Sequence, residues 1–410
     1  MDIPGLPARR AALNLIDAVL RRGETLEQAA SGALSRVRGE PDRALAKAIA
    51  SEVLRWRTDL DALIDSATRL RLPDDAKPRA VLAIMLAQVL RLETPAHAVI
   101  ATGLPLLMGG PRRLAHGVFS TLIKGEASLP AIPTLPESAR ERWGERAAAI
   151  AAGLSEPPPL DVTLRDPDTT AHWTEQLGGV SLAPGHVRLP RGVGIEALPG
   201  YRDGAWWVQD LAATLPGRVL GSGEGRRVLD LCAAPGGKTL QLSAMGWSVT
   251  ALDISKRRLE RLRDNLERTK LTAEVVVADA LDWEPEQPFD AILLDAPCTA
   301  TGTCRRHPDV LHRIGPRQIA EMAGLQTRLL ERAPGWLAPQ GRLVYAVCSL
   351  EEEEGAGQAR QVMLAPDPIQ ESELFPGIAP TDEGWLRTDP GMLAEAGGLD
   401  GFFIARWRKD

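Results

Sequence analysis

Between residues 8 and 125, apolar residues recur at intervals of three and four. Leu13, Ile16, Val19 and Leu20 form one such group, and Ile49, Val53, Leu54, Leu60 and Leu63 another. That period predicts amphipathic helices, with Pro73, Pro78, Pro95, Pro105 and Pro111 marking boundaries between them. Leu129-Pro130-Ala131-Ile132-Pro133 reads as a linker, followed by a helix rich in Glu, Arg and Ala over 137–153 and a break at Glu156-Pro157-Pro158-Pro159. Short strand-like pieces with many turn residues, 160 to about 219, suggest a small α/β cap. From Arg226 the pattern alternates. Strands are expected at Arg227–Cys232, Ser248–Asp253, Glu274–Ala278 and Ala291–Asp295, with a further one ending at Cys348. Helices are expected at Lys238–Met245, Lys256–Thr269 and Arg317–Trp336. Such alternation predicts a doubly wound, mostly parallel sheet of Rossmann-like α/β type. The expected domains are 1–130 (all-α), 131–220 (linker helix and cap) and 221–410 (α/β).

Length and composition narrow the class. A chain of 410 residues with 44% hydrophobic and 25% charged residues is an ordinary multidomain globular protein. The longest apolar run, Ala80–Leu90, is too short to span a bilayer. Asp17 interrupts the stretch a signal peptide would need, so a cytoplasmic protein without a membrane partner is expected. The net charge of −6 speaks against a nucleic-acid partner, but its distribution is uneven. Residues 1–130 hold 18 Lys/Arg against 14 Asp/Glu, a local +4 that leaves −10 for the rest. Phosphate binding requires only a local basic patch. A solvated helical surface explains the same numbers.

All four cysteines, 232, 298, 304 and 348, lie in the second half, which is not a disulfide framework. No Cys-x-x-Cys pair or close His pair suggests zinc, and no metal is expected. Cys232 and Cys304 read as small buried apolar residues. Cys298 and Cys348 differ, because each ends an apolar strand, Phe289–Cys298 and Gly341–Cys348. The carboxyl ends of strands are where open α/β sheets bind ligands.

A glycine-containing turn, Cys232-Ala233-Ala234-Pro235-Gly236-Gly237-Lys238, leaves the first strand and enters a helix. Its glycines permit close backbone approach, and the helix amino terminus favours a carboxylate. A Walker loop would need Gly where Cys232 stands, and the dinucleotide pattern G-x-G-x-x-G is absent. Asp253, Asp279 and Asp295 then follow successive strand ends. Singly each suits a turn or cap; together they suit a nucleoside-containing cofactor, with Asp253 on the ribose hydroxyls.

Two thiols in one ligand pocket suggest covalent attack on a pyrimidine. Carbon 5 of cytosine is too weakly nucleophilic to take a methyl group unaided. A thiolate adding at carbon 6 makes it an enamine-like nucleophile, and Asp295 could assist at ring nitrogen 3. The base must be single-stranded or flipped out. The residues alone do not decide which thiol attacks.

Leu231–Thr239, Leu294-Asp295-Ala296-Pro297-Cys298, Arg305-Arg306-His307-Pro308-Asp309, Tyr345–Leu350 and Asp400–Arg406 resemble the Sun/Fmu family of RNA 5-methylcytosine methyltransferases. Pro95–Val99 and Asp42–Leu45 resemble the NusB-like RNA-binding domain carried by bacterial members. The resemblance implies S-adenosylmethionine bound by 232–238, Asp253, Asp279 and Asp295. It implies Cys348 as nucleophile, Cys298 assisting release, and ribosomal RNA as partner; a monomer is expected, though the sequence does not reveal the oligomeric state. Lys238 would face the target base or lie extended at the helix start. Arg305, Arg306 and His307 would meet RNA phosphates or form a solvated loop. The chain departs from the family at Val347, at Glu351–Glu354 followed by Gly355, at Thr303-Cys304 and at Leu160–Asp166, which leaves the target cytosine unread. The alternatives are the same chemistry on transfer RNA or another ribosomal site, and a non-catalytic RNA-binding factor that keeps the fold. An amino-group methyltransferase would need no thiol.

Overall fold

Glycine and proline divide the first part of the chain into helices at Leu6–Arg22, Leu26–Ala33, Glu40–Arg55, Arg57–Ser66, Lys77–Leu90, Ala96–Gly103 and Gly109–Lys124. Gly23, at φ +67°, ends the first in the left-handed region, and Thr25 with Gln28 caps the second reciprocally. The computed structural model describes residues 3–192 and 194–410. Val81–Gln88 are buried on every side of their helix, making it the centre around which the others pack. Leu15, Ile16, Ile49, Val53 and Phe119 complete that core. Among the described residues no helix is long and apolar enough to cross a membrane.

The structure divides into two compact units. The first runs to Glu156 and also takes in Cys304–Ile314, a segment from the second half of the sequence. Arg55 Nη2 donates to the Arg305 carbonyl at 2.9 Å, and His312 Nε2 lies 2.6 Å from the Leu54 carbonyl. The helix expected over 137–153 is two helices, Glu137–Trp143 and Ala147–Ala152, because Gly144 at φ +52° turns the chain between them.

The second unit contains two sheets. The smaller is antiparallel, in the order β2-β1-β3, from β1 (Leu160–Leu164), β2 (His186–Leu189) and β3 (Trp206–Val208). The Asp161 carboxylate holds it to its surroundings. It accepts two bonds from Arg188, at 2.7 and 2.8 Å, and one from the Leu211 N–H.

The larger sheet has eight strands, β4 (Arg227–Leu231), β5 (Ser248–Asp253), β6 (Glu274–Val277), β7 (Phe289–Asp295), β8 (Leu337–Val347), β9 (Ala365–Pro366), β10 (Leu386–Thr388) and β11 (Phe402–Arg408). Their order is β10-β11-β8-β7-β4-β5-β6, with β9 on β11. β4 to β8 are mutually parallel, and β11 runs against β8. Val228 and Leu293 face one apolar layer while Leu229, Ile292 and Leu294 face the other, so both faces are buried and the strands read as continuous apolar runs. The helix expected to reach Trp336 stops at Arg332, because Pro334 lacks the N–H to continue it; a 3-10 turn replaces its last residues. From β4 the chain goes to β5 and β6 on one side and returns to β7 and β8 on the other. That reversal opens a crevice at the carboxyl ends of β4 and β7.

Candidate active site

The loop after β4 is held open by backbone geometry that its residues dictate. Cys232 adopts φ +62°, the Ala234–Pro235 peptide is cis, and Gly236 has φ +109°. A Cβ on Gly236 would lie 2.2 Å from Leu262 Cδ1, so only glycine fits between loop and core. Ala233 and Ala234 turn their methyl groups into that core, leaving main-chain atoms to face the crevice. The helix Gly237–Ala244 begins there.

Asp253, at the end of β5, ties this loop down. Its two oxygens accept from the Ala234 N–H at 3.1 Å and the Ser255 N–H at 2.8 Å. Arg258 approaches Asp253 to 3.7 Å and donates to the Ala234 carbonyl. Asp279 follows β6, is half-buried, and accepts from the Leu281 N–H. Cys232 lies close by, and burial, then Asp253, Asp295 and Asp230, push its thiol far up. It stays neutral, in keeping with a packing role.

Asp295 at the end of β7 accepts from Lys238 Nζ at 2.8 Å. The ammonium also stands 5.2 Å from the centre of the Phe402 ring. Burial opposes its charge, but the charge and hydrogen bond of Asp295, then Cys348 and Asp230, outweigh it and hold its pKa above the ordinary lysine value. Lys238 is therefore a fixed cation aimed across the crevice, not a side chain lying along the helix start.

Cys298 and Cys348 meet. Their sulfurs are 3.5 Å apart, brought together by the ladder of β7 and β8 and by bonds beyond it, from the Ala296 N–H to the Ala346 carbonyl and from the Gly302 N–H to the Cys348 carbonyl. The surroundings of the two thiols differ in charge. Lys238 interacts with Cys348. Cys298 is raised well above the usual thiol value by its hydrogen bond with Cys348, by burial and by the charges of Cys348 and Glu354.

Arg305, Arg306 and His307 belong to the other unit. Arg305 is only 2% exposed, which corrects the expectation that its guanidinium meets phosphates. Arg306 is half-buried and His307 exposed.

Sequence reasoning missed three contributors. Asp230 is wholly buried in β4 and accepts from Thr239 Oγ1 at 2.5 Å. Gln209, which receives Trp207 Nε1 at 2.7 Å, donates to Gln241 and braces the start of the Gly237–Ala244 helix. Glu354 is fully buried within the acidic run Glu351–Glu354, which at the level of sequence stands out only as a departure from the family. Only the spacing of Glu351 and Glu354, both buried and three apart, signals an inward face.

Two family models match the chain: 16S rRNA methyltransferase RsmB/F over residues 218–408, and the NusB family over 6–106. A ribosomal RNA small subunit methyltransferase B of Xanthomonas campestris is 35% identical, with 98% of this chain and 97% of that protein covered. Its counterpart in Xylella fastidiosa is 34% identical over 99% of both. Among solved structures, PH0851 superposes over the full length of both chains with a TM-score of 0.73 at 22% identity, a likeness of fold. A methyltransferase homologue from Pyrococcus horikoshii is 28% identical over 67% of this chain and 94% of its own, with a TM-score of 0.54. The chain thus belongs to the ribosomal RNA small subunit methyltransferase B family.

Proposed function

We propose that this protein methylates carbon 5 of a cytosine in small-subunit ribosomal RNA through a covalent adduct on Cys348. The observation that carries the reading is the pair of sulfurs 3.5 Å apart beside the Lys238–Asp295 ion pair. A methyltransferase acting on an amino group or on oxygen has no use for two thiols in its pocket.

S-adenosylmethionine is the cofactor, and it supplies an electrophilic methyl group. The residues present suit it. Gly236 lets the loop 232–237 pack against Leu262 with Ala233 and Ala234 in the core, which leaves the main chain of the turn for the cofactor. Lys238 follows at the helix start, where a carboxylate is favoured. Asp253, Asp279 and Asp295 offer carboxylates along the strand ends.

Cys348, beside a fixed ammonium, adds as the thiolate to carbon 6 of the flipped-out base. The Lys238–Asp295 pair supplies the proton that ring nitrogen 3 gains as this bond forms. Carbon 5, so activated, would accept the methyl group that bound S-adenosylmethionine supplies, the electrons of the broken sulfur–methyl bond staying with the cofactor. Loss of the carbon 5 proton to a base returns the electron pair to the carbon 5–carbon 6 bond, the carbon 6–sulfur bond breaks with its electrons leaving on the Cys348 sulfur, and nitrogen 3 gives its proton back to the Lys238–Asp295 pair. Cys298, held as a neutral thiol, donates a hydrogen bond to the departing sulfur. The helical domain, residues 1–130, holds the RNA, with Arg306 and His307 on phosphates, and the enzyme acts as a monomer.

The test is nucleoside mass spectrometry of small-subunit ribosomal RNA lacking its modifications, incubated with the protein and methyl-labelled S-adenosylmethionine. Label in 5-methylcytidine is the expected result. Label confined to another nucleoside, or none, overturns the reading.

A further inference from the structure

Glu354 binds the two thiol loops to each other. Its Oε2 accepts from the Thr299 N–H at 2.9 Å and from Gln326 Nε2 at 3.0 Å; its Oε1 accepts from Ser349 Oγ at 2.8 Å and from Thr299 Oγ1. Thr299 immediately follows Cys298, and Ser349 immediately follows Cys348. Gln326 also donates to the Pro297 carbonyl at 2.8 Å, on the other side of Cys298. The Glu354 carbonyl in turn accepts from Tyr345 Oη at 2.5 Å, which ties it to β8. Every one of these groups is buried, apart from the half-buried Pro297, and all four bonds to the Glu354 carboxylate form away from water, where losing them is costly.

The two loops do not depend on Glu354 equally. Cys348 directly follows a strand paired on both sides, with Val347 opposite Phe403 and Ala346 opposite Asp295. Cys298 lies beyond the end of β7 in a segment with no regular structure. Glu354 grips that segment through both the main chain and the side chain of Thr299.

We infer that Glu354 is a positioning residue that holds Cys298 against Cys348, so that its loss slows release of the methylated RNA far more than it slows methyl transfer. The inference rests on the assignment of Cys348 as nucleophile and Cys298 as the releasing thiol. The side chain is fully buried and acts through Thr299.

The test separates the two steps. Adduct between protein and RNA is measured on denaturing gels, alongside single-turnover methyl transfer and multiple-turnover rate. Glu354→Ala is expected to accumulate adduct and to lose roughly tenfold or more in multiple turnover, with single-turnover transfer within about threefold of wild type. Thr299→Val, nearly isosteric and keeping its N–H, serves should the first variant fail to fold; it is expected to accumulate adduct to a lesser degree. Glu354→Gln should restore release. Its carbonyl oxygen can accept from Thr299 N–H and Gln326, and its amide can donate to the two hydroxyls. Cys298→Ala and Cys348→Ala are the references. If Cys298→Ala accumulates adduct but both Glu354→Ala and Thr299→Val release like wild type, the positioning role is overturned. Equal loss of transfer and release in the folded variants overturns it too. If Cys298→Ala forms no adduct, the underlying thiol assignment fails instead.

Discussion

Lys238 Nζ donates to Asp295 Oδ2 at 2.8 Å, joining the first turn of the helix after β4 to the end of β7 across 57 residues of sequence. The pair bridges the crevice at the point where the strand order changes sides. It also sets a positive charge beside Cys348, so in the proposed reaction one ion pair would serve both the attacking thiol and the ring.

Lys238→Met is therefore expected to lower methyl transfer by about 100-fold or more, since both the thiolate and the ring proton lose their support. Binding of S-adenosylhomocysteine should change little, because the loop offers mainly main-chain atoms. Single-turnover rates and calorimetric titration, run on the same preparation, check both halves.

Asp253→Ala should act in the opposite way. It strands the Ala234 and Ser255 N–H groups, a loss of about 1–3 kcal/mol for the buried Ala234 donor, and removes the carboxylate proposed to meet the ribose. Cofactor affinity is expected to fall at least tenfold in a binding titration, while RNA affinity in a filter assay stays near wild type.

Asp230 makes stability depend on pH. Burial above all raises its pKa to about 7, with Asp295 and Asp253 adding to the shift and Thr239 and Lys238 opposing it. The raised value means that the folded protein favours the protonated form. Stability from this group is complete below the unfolded value and is lost as pH rises towards 7. The cost above that pH is on the order of 4 kcal/mol at most. Asp230→Asn should therefore gain stability relative to wild type between pH 5 and pH 8 in thermal melts. A difference that stays constant with pH contradicts the burial argument.

Gly236→Val tests the loop geometry. The substitution combines φ +109° with a Cβ 2.2 Å from Leu262, and is expected to cost more than about 2 kcal/mol. A lowered melting temperature checks the fold, and a titration on whatever remains folded should find cofactor binding lost.

Much of this site was legible in the sequence because its parts sit at strand ends. Asp253, Asp295 and Cys348 each terminate or follow an apolar run of strand length, and the glycine turn after Leu231 marked the crevice. Local pattern carries that information. It carries nothing about partners distant in the chain, and so Glu354, which meets Thr299 from 55 residues away, was hidden in an acidic run. Arg305 misled for the same reason. Two consecutive arginines in a turn-rich segment read as surface, yet packing within the helical unit buries the first of them. The break at Gly144 shows a third limit, since a helix-period pattern continues through it while a single positive φ ends the first helix.

The most direct test uses RNA carrying 5-fluorocytidine in place of cytidine. Fluorine cannot leave carbon 5 as a proton does, so an enzyme that attacks carbon 6 and transfers its methyl group stays bound to the base. Digestion of the wild-type complex and mass mapping of the modified peptide then identify the attacking sulfur. Cytosine attached to Cys348 is the predicted result; attachment to Cys298, or no adduct with an RNA that is otherwise methylated, contradicts it.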